Sequence, residues 1–115
     1  MTDKVMNLPE GTSADMVAKW KQEHGEKNIL LATLCDENNE PIRKIVIRRP
    51  TRQAVNQWEK FINTDPGKAK EILVRACLLK DQDKEDVIAD DDLFYPAYRA
   101  VESLIPLRKA IVETL

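Results

Sequence analysis

The stretch Asn28-Ile29-Leu30-Leu31-Ala32-Thr33-Leu34-Cys35-Asp36, followed by Glu37-Asn38-Asn39-Glu40-Pro41 and then Ile42-Arg43-Lys44-Ile45-Val46-Ile47-Arg48-Arg49, decides the fold. Two runs of apolar and β-branched residues flank a polar, Asn-rich turn, which is the sequence form of a β-hairpin. Asn38-Asn39 can take the positive φ values that such turns need. A lone hairpin is marginal in water, so this one must pack on helices or find another strand, and in the second case its edge would serve oligomerisation. Because a strand alternates faces, Arg43 and Arg49 fall on one side with Ile45 and Ile47, while Lys44 and Arg48 fall on the other with Val46.

Towards the N-terminus, residues 1–11 read as an extended lead-in ending in Pro9-Glu10-Gly11. Thr12 or Ser13 then caps a helix whose apolar face is Met16, Val17 and Trp20, and Gly25 ends it. Towards the C-terminus, Pro50 leaves Arg49 extended and Thr51 caps a helix through Val55, Trp58 and Phe61/Ile62. Asp65-Pro66-Gly67 marks a break and a new start, after which Ala69, Ile72, Leu73, Ala76 and Leu79, widened by Val74, Cys77 and Leu78, predict a central helix. The acidic residues 81–92 read as an exposed connection, with Asp90 or Asp92 capping a last helix through Leu93, Ala97, Val101 and Leu104. Pro96 is placed in the first turn of that helix, and Pro106 kinks or ends it. The order helix, hairpin, then a bundle of three or four helices makes a mostly α, α+β fold in one domain spanning residues 1–115. The closing Ile111-Val112-Glu113-Thr114-Leu115 is apolar enough to dock on the body or on a partner.

Composition narrows the chemistry. With 115 residues, 33% of them charged and a net charge of −2, the chain has the size of one domain and no bulk bias towards polyanions. No apolar run is long enough for a membrane span, and the first residues lack an apolar signal core, so a cytoplasmic protein is expected. The two cysteines, Cys35 and Cys77, lie in apolar runs and read as small buried hydrophobes. The one histidine, His24, sits before Gly25 as a last-turn residue. Three glycines in the chain leave no phosphate-cradling loop, and no carboxylate is embedded in an apolar run where its pKa would suit acid catalysis. The expectation is a protein without catalytic residues and without a cofactor.

The near-zero total conceals a separation. Residues 41–58 carry five basic side chains, Arg43, Lys44, Arg48, Arg49 and Arg52, and no acidic one, whereas residues 81–95 carry seven acidic side chains against Lys84. These basic residues are the candidate partner-binding positions, with charge-protected strand ends as the plainer reading. Nucleic acid is disfavoured, because the acidic segment repels phosphate and aromatics do not interleave with the basic residues. Head-to-tail pairing of the basic hairpin with a neighbour's acidic segment would build a homo-oligomer. Asp81, Asp83, Glu85 and Asp92 imitate the spacing of a calcium loop, but Asp86 occupies the place that needs glycine and Asp92 is shorter than the bidentate glutamate. No metal is therefore expected, and a calcium-responsive adaptor is an alternative only.

Lys19-Trp20-Lys21-Gln22-Glu23-His24-Gly25, the hairpin ending in Ile47-Arg48-Arg49-Pro50-Thr51-Arg52, and Asp65-Pro66-Gly67-Lys68 leading to Ile72-Leu73-Val74-Arg75-Ala76-Cys77-Leu78 follow one another in an order that resembles small proteins of bacteriophage and prophage tail gene clusters. Across residues 16–105 the chain is similar to a tail assembly chaperone. That resemblance implies a factor of the host bacterial cytoplasm that binds the tape-measure protein and shields its apolar surfaces before tail polymerisation. A structural tail or neck component is the alternative of the same origin.

Overall fold

The computed structural model describes residues 8–105 and 110–115. Helix α1 (Ala14–His24) begins where Ser13 Oγ accepts the Met16 N–H at 3.1 Å, satisfying a donor that has no partner inside the helix. It ends at Gly25, whose φ of 95° lies where a side chain would be strained. A 3-10 turn (Glu26–Asn28) leads into β1 (Ile29–Cys35), which pairs antiparallel with β2 (Pro41–Arg48). In the connecting turn Asn39 takes φ 63°, and the Asp36 carboxylate accepts the N–H groups of Asn38 and Glu40 at 2.8 and 3.0 Å. The pairing passes from Leu34–Arg43 to Cys35–Pro41, so Ile42 is an extra, bulged residue on β2.

Four further helices follow: α2 (Arg52–Phe61), α3 (Pro66–Cys77), α4 (Asp81–Ala89) and α5 (Asp91–Glu102). Their starts are written in side chains. Thr51 Oγ1 accepts from Ala54 N–H at 3.1 Å, Asp65 from Lys68 N–H at 3.3 Å with Pro66 as first helical residue, and Asp90 from Asp92 N–H at 2.9 Å. The result is the mostly α, α+β arrangement expected from the order of patterns.

The core explains the order. The inner face of the hairpin buries Leu34, Ile45 and Ile47 against Leu73, Val74 and Cys77 of α3, and α5 closes it with Ala97, Tyr98 and Val101. Helix α1 lies on the opposite face of the hairpin and buries none of its residues fully; Val17 and Lys21 edge a shallow depression there with Leu31 and Val46. The β2 edge is not wholly open, because Ile47 forms a single antiparallel bridge with Leu78 at the end of α3. A hairpin sandwiched in this way has the packing that an isolated one lacks.

Several expectations are corrected. Residues 81–92 are not a connection: Asp81–Ala89 is helical, with Asp81 and Asp83 in the first turn, where the helix dipole favours negative charge, and with Val87 buried as its anchor. The buried stripe of α3 runs through Ala69, Leu73, Val74 and Cys77, and Ala76 faces out. Pro96 sits inside α5 rather than in its first turn. Residues 110–115 are exposed coil and do not pack on the body, leaving Ile111, Val112 and Leu115 in solvent. The lead-in contains a turn, Thr12 N–H to Pro9 carbonyl at 3.0 Å, while its residues 1–7, and Pro106, lie outside the described residues. Both cysteines are free, Cys77 buried and Cys35 half-buried.

Candidate protein-binding groove

Helices α2 and α5 leave between them an open groove of about 960 Å³ whose apolar walls are Pro50, Val55, Trp58 and Ile105. Its rim alternates in sign, with Arg52 and Glu59 on α2 facing Arg99 and Glu102 on α5. The groove floor is fixed by a relay of polar contacts. Trp58 Nε1–H donates to Tyr98 Oη at 3.1 Å, and Tyr98 O–H donates to Glu102 Oε2 at 3.0 Å. Burial is the main cause that pushes the Tyr98 phenol above its ordinary pKa of 10.0, so it remains a donor at neutral pH. A rigid indole under an apolar trough with a charged rim is suited to holding the apolar stripe of another helix.

The five basic positions expected to bind a partner do not form one patch. Arg43 turns inward, and its guanidinium donates to Asp83 at 2.6 Å and Asp86 at 2.9 Å on α4. Asp83 is only 4% exposed, so this pair is an internal strut between β2 and α4. The hydrogen bond to Asp83 is the largest influence raising the Arg43 pKa, and Gln82 followed by Arg43 holds the Asp86 carboxyl below its ordinary value. Arg48 donates to His24 Nδ1 at 3.0 Å; since a guanidinium only donates, the His24 proton sits on Nε2, facing Glu23 at 3.9 Å. Arg49 is spent on the Lys27 carbonyl at 3.1 Å, Lys44 stands exposed on β2, and Arg52 alone reaches the groove.

The calcium-like spacing is likewise dispersed. Asp81, Asp83 and Glu85 ride on α4 and Asp92 on α5; Asp83 faces Arg43, and Asp81 lies 3.9 Å from Lys84. Among the described residues no three acidic, histidine or cysteine side chains gather as a metal site. The groove residues were visible in the sequence only as an apolar helical face. Trp58 packs against the core with one side, and the signal that its helix face also meets solvent is the polar Arg52 and Glu59 on the same side of α2.

No family model matches the chain, and no curated protein matches it. A solved structure of an uncharacterised protein from Bacillus stearothermophilus is similar at a TM-score of 0.55 and 16% identity, over 84% of this chain and 98% of that one. At that identity the likeness is one of fold.

Proposed function

We propose that this chain is a non-enzymatic protein-binding factor of the tail assembly chaperone kind, which holds an amphipathic helix of a tape-measure protein in the groove between α2 and α5. The observation that carries the reading is the groove itself: an apolar trough over Trp58, open to solvent, with charges of both signs along its rim. A long helical client with an apolar stripe lays that stripe on Val55, Trp58 and Ile105 and its flanking charges on Arg52, Glu59, Arg99 and Glu102. The resemblance of the sequence to tail gene cluster proteins names the client.

Co-expression with the tape-measure protein encoded beside its gene tests this. The intact chain co-purifies with the client and keeps it soluble, and Val55→Asp, which puts a charge in the trough, lowers capture at least tenfold. Equal capture by the variant, no capture by the intact chain, or the lack of a tape-measure gene in the neighbourhood would overturn the proposal. Finished particles should lack the protein; its presence there identifies a structural tail component instead.

A further inference from the structure

Among the described residues of the body three large apolar side chains stand exposed, and they fall in two places of opposite charge. Leu31, 45% exposed, lies on the outer face of the hairpin beside Val46, in a depression that α1 covers only in part. The strand register pairs Leu31 with Val46, Thr33 with Lys44 and Ile29 with Arg48, so Lys44 and Arg48 share this face, and Lys21 of α1 edges it. Ile42 and Tyr95, 43% and 54% exposed, line one depression between the tip of the hairpin and α5, with the Lys70 ammonium 6.0 Å from the Tyr95 ring on the α3 side. Four carboxylates, Asp36, Glu37, Asp91 and Asp92, border that second depression. Among the described residues none of the four takes part in an ion pair, and neither do Lys21 and Lys44.

We propose that the outer face of the hairpin around Leu31, left partly open among the described residues, docks the tip formed by Ile42 and Tyr95 of a second copy of this chain. The charge pattern selects a second copy over a foreign partner, since each surface supplies what the other lacks: an apolar centre flanked by lysine and arginine, and an apolar centre flanked by aspartate and glutamate. The contact joins unlike surfaces, so each copy offers one of each. It narrows the pairing of basic hairpin with acidic segment to Lys44 and Arg48 against Asp91 and Asp92, because Arg43 is already satisfied by Asp83 and Asp86 within one chain. The surface is separate from the α2–α5 groove, so a copy docked here leaves the groove free.

Light scattering of the full chain at about 100 µM, at low and high salt and with no client present, tests this. At low ionic strength the mass should be at least twice the 13.2 kDa of one chain, and it should fall towards one chain as salt shortens the Debye length from about 30 Å to about 3 Å. Glu37→Lys with Asp91→Lys disables the tip, and Lys21→Glu with Lys44→Glu disables the outer face; all four positions are exposed. Each double variant alone should be monomeric, whereas an equimolar mixture, in which the native face of one variant meets the native tip of the other, should reach at least the mass of a heterodimer. Tyr95→Arg and Leu31→Asp serve in the same design should a double variant lose its circular dichroism. A monomeric wild type at low salt, a variant that still associates, or a mixture that stays monomeric would each refute the proposal.

Discussion

Replacing Arg43 by Met would remove the guanidinium that bridges β2 to α4 while leaving a side chain of similar length. Asp83, at 4% exposure, then loses the cation that faces it, with only an open depression on one side to admit water. Breaking a fully buried pair from one side costs about 3–5 kcal/mol, because the orphaned charge bears its desolvation alone. The Arg43 side chain is 29% exposed, and partial access to water reduces that figure to about 2 kcal/mol. With a urea dependence of about 1.5 kcal/mol per molar, the unfolding midpoint falls by roughly 1.3 M. The double variant Arg43→Met/Asp83→Asn, which removes both charges, recovers a large part of that loss. A control at Lys84, whose pairing with Asp81 spans 3.9 Å at the surface, changes stability by less than about 0.5 kcal/mol. A midpoint for Arg43→Met within about 0.3 M of the wild type, or a double variant no more stable than the single one, would refute the strut.

Three further outcomes follow from the same packing. Leu73 is completely buried between hairpin and helices, so Leu73→Ala should cost about 2–5 kcal/mol in urea unfolding. The Asp86 carboxyl is held below its ordinary 3.8 by Gln82 and then Arg43, so its contribution is present at neutral pH and is lost as pH falls below about 4; Asp86→Asn should flatten that acid limb of the stability profile. Burial pushes the Cys77 thiol up to about 12, so a thiol reagent at pH 8 should label the half-buried Cys35 and spare Cys77 until urea unfolds the chain.

Most of the fold was legible because its punctuation is local. Ser13, Gly25, Thr51 and Asp65-Pro66 act within one turn of their own position, and the β-branched run Ile45-Val46-Ile47 marks its strand by composition alone. What local signals could not show was long-range satisfaction of charge. Residues 81–92 look solvated by composition, yet Val87 anchors them as a helix and Asp83 is drawn into the core by a partner 40 positions away. Alternation already placed Arg43 on the side of Ile45 and Ile47, and a cation on a core-facing row requires a buried anion. The groove is not legible for a different reason: periodicity reports that Val55 and Trp58 share an apolar face but not whether another helix of the chain covers it.

The most direct test of the account is whether Trp58 sees a client. In a Trp20→Phe background Trp58 is the sole indole, and titration with the amphipathic helical segment of the tape-measure protein should give a saturable blue shift of its emission at micromolar concentration, abolished by Val55→Asp. An emission that stays unchanged through about 100 µM peptide, or a shift that persists undiminished in the Val55→Asp variant, would contradict a protein-binding role for the groove.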